Sequence, residues 1–395
     1  MRKMKSFKWL LSCIAVIMIA AGCSSQGSSG GTDSGSNNSG SNNAPKDESG
    51  FPQQLAVSVY DVGSSGYAEF SAVANALTSE YGTQIRLIPS GTGVGRMIPM
   101  KDGVTPFGRL GDEYQFAYRG EQEFATMDWG PQDLRVVWQT MTHINGAVLE
   151  DSDIKTPADL KGKKIPYITA NASINTKVEA VLAAGGLTWD DVERVELTSY
   201  ATQADALKQG QTDMALMLPG ASSLIELDEM QGIRWLELSD DVNSEEWKNV
   251  QKVVPWLVPD EWSVGAGLSK DEPLTFMAYP YPLVSRADVD EEVVYELIKR
   301  LDNTIDQYKD ATPGNIQWAK DRVNTTPLGV PFHEGTIRFL EEEGMWSEEQ
   351  TTQNNELIEY GKSLKEEWEK ITAEAEEQNI SKDDFPQYWL ENKSK

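Results

Sequence analysis

The sequence predicts an α/β protein made of two α/β units with a helical C-terminal part. Three observations predict it. A strand–helix–strand run opens the folded part, the same grammar returns after residue 150, and the last third carries long amphipathic helices. In the first unit, Leu55 to Val59 reads as a strand and Gly63-Ser-Ser-Gly66 as a turn. Tyr67, Phe70, Val73, Leu77 and Tyr81 then recur at helical spacing until Gly82, and Ile85 to Ile88 is the next strand. In the second unit, Thr156-Pro157 starts a short helix that ends at Lys161-Gly162, and Lys164 to Thr169 is a strand. A helix through Val178, Val181 and Leu182 closes at Gly185-Gly186. Val195 to Leu197 is a strand, Ala201 to Gln209 a helix stopped by Gly210, and Met214 to Leu218 a strand. Crossovers between the units are predicted near Val136–Leu149 and Phe276–Ser285. Val293, Leu297, Ile298, Leu301 and Ile305 mark one C-terminal helix. Residues 352–378 mark another, rich in Glu and Lys, and both are expected to wrap the first unit.

The N-terminus reads as a leader. Arg2, Lys3, Lys5 and Lys8 precede an apolar run from Trp9 to Ala21, shorter than the roughly 20 residues a spanning helix needs. Small residues then lead into Cys23. This resembles the bacterial lipobox, although Ala20 stands where leucine is usual, and it implies a lipid on Cys23. Residues 24–50 are Ser, Gly, Asn, Thr and Asp with almost nothing apolar, so they read as a flexible tether. The expected organisation is a signal peptide at 1–22 and a tether at 23–50. The first part of lobe 1 follows at 51–142, lobe 2 at 143–275, and the return to lobe 1 with the C-terminal helices at 276–395.

Composition excludes several functions. Cys13 leaves with the leader, so no disulfide framework, thiol enzyme or cysteine metal site remains. About 345 residues after the tether are ample for two cores. The 35 basic and 62 acidic residues give a net charge of −27, and removal of the basic leader brings it near −31. Such a chain binds neither nucleic acid nor anionic lipid surfaces. No Gly-x-Ser-x-Gly elbow occurs from residue 51 onward, His143 and His333 are far apart, and no metal-ligand spacing appears. Asp190-Asp191, Asp240-Asp241 and Glu341 to Glu343 read as solvated caps and faces. No catalysis and no cofactor are expected.

Five segments together resemble the TAXI family, the solute-binding proteins of one branch of the tripartite (TRAP) transporters. They are Gly63-Ser-Ser-Gly-Tyr67, Asp153-Ile-Lys-Thr-Pro-Ala-Asp-Leu-Lys-Gly-Lys163, Ala183-Ala-Gly-Gly-Leu-Thr-Trp-Asp-Asp191, Ala206-Leu-Lys-Gln-Gly-Gln-Thr-Asp213 and Pro331-Phe-His-Glu-Gly-Thr336 with Glu341 to Trp346. The resemblance implies a two-lobed type II periplasmic-binding-protein fold, with crossing strands between the lobes and the ligand in the cleft. It implies as partners a small molecule and the membrane subunits of a TRAP permease, with attachment to the outer face of the cell membrane through the lipid. An ABC-type or sensory binding lipoprotein is the alternative, and a surface hydrolase a distant one. Two loops depart from the family. Ser90-Gly-Thr-Gly-Val-Gly-Arg96 replaces its Ser-Thr-Gly-Gly-Ser, and Asn171-Ala-Ser-Ile-Asn-Thr176 replaces its Gly-Ser-Gly-Thr, so ligand identity does not carry over.

Ligands of open α/β sheets sit at the carboxyl ends of the strands, where helix N-termini favour a carboxylate. Gly63, Ser64, Ser65 and Tyr67 in one lobe and Asn171, Ser173, Asn175 and Thr176 in the other are therefore candidate ligand contacts. Thr92 and Gly93 form a third loop. Arg96 occupies the sixth position of its Gly-rich stretch, which excludes a dinucleotide fingerprint and makes Arg96 the candidate counter-charge for an anion. His143 near the first crossover, Pro219-Gly220 after a strand and Tyr279 on the second crossover complete the set.

Overall fold

The computed structural model describes residues 45–394. The leader, Cys23 and the tether up to residue 44 lie outside the described residues. The folded body starts earlier than Phe51. Asp47 Oδ1 accepts from the Ser49 and Phe51 N–H groups, and its Oδ2 accepts from Arg300 at 2.6 Å, so this turn is pinned to the body instead of belonging to the tether.

Gln54–Tyr60 (β1) pairs in parallel with Gln84–Ser90 (β2) on one side and with Phe107–Arg109 (β3) on the other. Ser65–Tyr81 (α1) links β1 to β2 and buries Phe70, Val73 and Leu77 against the sheet, as its spacing predicts. Gly93–Lys101 (α2) and Glu113–Arg119 (α3) follow β2 and β3. Leu134–Leu149 (β4) then runs for 16 residues, nearly all buried.

Beyond β4 come Lys164–Ile168 (β5), Ala172–Ala184 (α4), Glu193–Leu197 (β6), Thr202–Lys208 (α5) and Ala215–Met217 (β7). Ser222–Gln231 (α6), Ile233–Trp235 (β8), Glu245–Val253 (α7) and Val258–Trp262 (β9) complete this group. Pro157–Leu160 is a single 3-10 turn with a Thr156/Asp159 capping box, too short for the helix expected there. Leu274–Arg286 (β10) then leads to Glu291–Asn303 (α8), Ile305–Tyr308 (α9), Glu334–Glu342 (α10), Glu348–Glu377 (α11) and Phe385–Asn392 (α12).

The main sheet has eight strands in the order β2-β1-β3-β10-β4-β7, with β8 also on β4 and β9 also on β10, while β5 and β6 pair separately. The long strands β4 and β10 are antiparallel partners from Leu134/Arg286 to Ile144/Met277. One end of β10 pairs with β3 and the other with β9, and the far end of β4 pairs with β7 and β8. Two α/β groups are thus joined by two crossing strands, which is the two-lobed periplasmic-binding fold. The crossovers fall where the sequence places them. Separate cores form in the β5–β9 group and in the β1–β3 group. The C-terminal helices close over the latter: Tyr118 of α3 donates to the Leu357 carbonyl of α11 at 2.6 Å. Among the described residues no helix is long and apolar enough to cross a membrane.

Candidate functional site

The loops at the carboxyl ends of β1, β2 and β3 face the starts of α4, α5 and α6, and each start receives an acceptor from the opposite group. Asp61 Oδ2, just after β1, accepts from the Ala201 N–H at the start of α5 (3.0 Å). Glu123 Oε1 accepts from the Ala172 N–H at the start of α4. The Gly63 carbonyl accepts from the N–H (3.3 Å) and hydroxyl (3.2 Å) of Ser223 at the start of α6. These helix ends carry free N–H groups and partial positive charge, and the chain's own oxygens satisfy them. Further contacts cross between the groups. Gly93 N–H donates to the Ala170 carbonyl (2.9 Å), Asn171 Nδ2 to the Gly91 carbonyl (3.0 Å), and Asp112 N–H to Ser173 Oγ (2.8 Å). Beside them Lys177 of α4 forms an ion pair with Asp112, both fully buried, and its ammonium lies 4.1 Å from the Tyr279 ring. Burial pushes the Asp112 pKa up and the Lys177 pKa down, against their mutual attraction.

Arg96 is the main correction to the expected site. Its side chain is 0% exposed, Nε donates to Glu113 Oε1 at 2.7 Å, and Nη1 donates to the Ser90 carbonyl at 2.8 Å. The guanidinium stacks 3.4 Å over the Tyr60 ring, and the Tyr60 hydroxyl donates to Glu113 Oε2. Burial lowers the Arg96 pKa, but Glu113 and Tyr60 outweigh it and leave the value raised. Glu113 neutralises the charge, and Nη2 alone is left without a partner among the described residues, so the arginine is no free counter-charge for an anion. Arg109 is likewise committed: Nη2 donates to Glu69 Oε2 (2.7 Å) and Nη1 to Thr140 Oγ1 (2.8 Å).

A narrow crevice of about 10 Å³, room for one water-sized group, lies where α1, the crossing strand β4 and the β7–α6 turn meet. Ser65 and Glu69 of α1 form one wall, with Pro313, Gly314 and Gln317 beside them. Thr142 and His143 of β4 form the floor, and Leu218 to Gly220 with Trp262 form the other wall. The Ser65 hydroxyl is buried and has no hydrogen-bond partner among the described residues. His143 Nε2 lies 2.7 Å from Asp260 Oδ2, and its ring stacks on Trp262 at 4.2 Å.

The expected residues divide accordingly. Ser65, His143, Pro219 and Gly220 line the crevice together. Gly63, Gly93, Asn171 and Ser173 make contacts between the two groups, and Tyr279 lies beneath Lys177. The others serve local structure. Ser64 caps α1 by accepting from Tyr67 N–H, Thr92 caps α2, Asn175 bonds both backbone groups of Ile168, and Thr176 donates to the Ala172 carbonyl. Tyr67 packs on the first core, away from the crevice. Glu69, Asp112, Glu113 and Lys177 were not foreseen. One signal was present: Glu69 follows Ser65, and Lys177 follows Ser173, by four residues, which puts each charge on the same helix face as the serine of the first turn.

A family model described as the NMT1-like family matches residues 63–344. The chain belongs to the NMT1-like family. The match takes in all the residues that line the crevice, from Ser65 to Gln317. Solved structures similar to this NMT1-like chain include the periplasmic aliphatic sulphonate binding protein SsuA from Escherichia coli, at 18% identity and a TM-score of 0.39 over 66% of this chain and 74% of that one. The alkanesulfonate-binding protein SsuA from Xanthomonas axonopodis pv. citri, bound to MOPS, shares 17% identity with a TM-score of 0.41 over 75% and 96%. R. palustris Rpa4515 with adipate shares 16% identity with a TM-score of 0.44 over 67% and 91%.

Proposed function

We propose that this chain is a solute-binding protein that closes its two halves over a small polar molecule and hands it to a membrane transporter, with no chemistry of its own. The observation that carries the reading is the crevice walled by both halves on the crossing strands, with the buried, unpartnered Ser65 hydroxyl in it. An unsatisfied buried hydroxyl in a small polar cavity is what a ligand completes. The halves divide at 51–142, 143–275 and 276–395, and β4 and β10 are the hinge. The solute belongs to the carboxylate and amino-acid classes. The motifs shared with the TAXI family favour a TRAP permease as the receiver. The basic leader and the lipobox-like Cys23 favour a lipid-anchored protein on the outer face of the membrane.

A thermal-shift screen over organic acids, amino acids and sugars tests this reading, with small-angle scattering of each hit. A bound solute raises the unfolding midpoint, because ligand binds the folded state alone. It also leaves the particle as compact as, or more compact than, the free protein. A screen in which no solute moves the midpoint defeats the proposal. Uptake that collapses with an ionophore, not with ATP depletion, separates a TRAP receiver from an ABC one.

A further inference from the structure

We propose that Glu69 and Ser65 form a subsite for a protonated amino group, so that the solute is an amine-bearing molecule and not a simple organic anion. This inference rests on the solute-binding reading above and names the chemistry its crevice selects. Glu69 is 2% exposed and Ser65 3%, one helical turn apart on α1, and both line the crevice. Glu69 Oε2 is held by Arg109 at 2.7 Å. Oε1 makes no hydrogen bond among the described residues and lies against Gly314, where any Cβ would overlap it. Across from it, a Cβ on Gly220 would come within 3.2 Å of Ser65 Oγ. Two glycines thus keep space open beside two acceptors that the protein leaves unused.

An ammonium group offers three donors and no acceptor, which suits this pair. A carboxylate or phosphate would meet the Glu69 carboxylate instead. No lysine or arginine lines the crevice to receive it, and the buried cations nearby are paired: Arg109 with Glu69, Arg96 with Glu113, and Lys177 with Asp112. His143 is directed at Asp260. The stacked His143–Trp262 pair supplies an aromatic wall, which suits the carbon skeleton of a small amine.

The test compares amino and hydroxy twins on the full chain by thermal shift and calorimetric titration. The pairs are glycine with glycolate, alanine with lactate, and glutamate with 2-hydroxyglutarate, with ethanolamine and putrescine as amines lacking a carboxylate. At least one amino member raises the midpoint, and its hydroxy twin does not. If ethanolamine or putrescine also binds, the subsite accepts plain cations; if only amino acids bind, it reads the zwitterion. Ser65→Ala weakens the binding about tenfold and leaves the unliganded midpoint in place, because the hydroxyl bonds nothing in the free protein. Glu69→Gln weakens it about a hundredfold, and should loss of the Arg109 partner prevent folding, Ser65→Ala carries the test alone. A hydroxy twin or a dicarboxylate that binds as well as the amine overturns the subsite while leaving solute binding intact. Silence of every compound overturns both.

Discussion

Arg96 is buried beside a carboxylate, and that single fact reverses its expected role. Its ion pair with Glu113 lies wholly out of water, with side chains 0% and 1% exposed. Taking away one member of such a pair leaves the other as an uncompensated buried charge, typically at a cost of about 3–5 kcal/mol. Arg96→Ala should therefore lower the unfolding free energy by about that amount in chemical denaturation, with or without solute. A variant as stable as the parent would mean that the arginine is free, and would return it to the list of ligand contacts. The sequence marked Arg96 as important but not its use, because the partner Glu113 sits in a short helix that no periodicity announces. Ser65 was legible, as a serine at a glycine-flanked strand–helix turn. Ser64 beside it looks the same in sequence, and only the structure divides them into a cap and an unused hydroxyl.

At the scale of elements, the long features were legible and the short ones were not. The crossing strand β10 stands out as a largely apolar run and β4 as a long β-branched and aliphatic one broken by Arg135, Gln139, His143 and Asn145, and α1, α4, α8 and α11 carry caps and helical spacing. The three-residue strands β3, β7 and β8 are too brief to show alternation, and β7 was found only because apolar neighbours extend it. The N-terminus of α4 holds the element-scale surprise. The sequence marks it as a cradle for a ligand anion, but Glu123 fills it. Burial pushes the Glu123 pKa above its ordinary value of 4.5, with the Ala172 N–H opposing in part. A raised folded value means that the stability contributed by the proton is complete below pH 4.5 and is lost as pH rises through the folded value. Glu123→Gln is neutral at every pH and keeps an acceptor for Ala172. Its unfolding midpoint should match the parent near pH 4 and exceed it at neutral pH, by a margin that opens above 4.5. A constant gap across that range would place Glu123 in water instead of on the helix end.

At the scale of the whole molecule, the contacts between the halves are, on the proposed reading, those of a closed form. Acceptors of one half sit on three helix starts of the other, and a buried Lys177–Asp112 pair bolts them together. Each of these groups regains water if the halves part, so opening about β4 and β10 strands none of them, and the apolar contact that must part is that of Tyr60 on β1 with Tyr200. This makes closure a balance that one well-placed atom can tip. Gly91 lies at the end of β2, where an added Cβ would overlap Ser199 Cβ of the other half and come within 2.7 Å of Asp61 Oδ2. Asp61 can swing aside, but Ser199 is met through its backbone as well, its Cα at 3.0 Å, and that contact yields only if the halves move apart. Gly91→Ala should therefore populate an open form: a larger radius of gyration by small-angle scattering, weaker solute binding, and an unfolding midpoint close to that of the parent. A rigid single body would answer the same substitution differently. It would unfold more readily with no expansion of its native state, and the hinge on β4 and β10 would have to be abandoned.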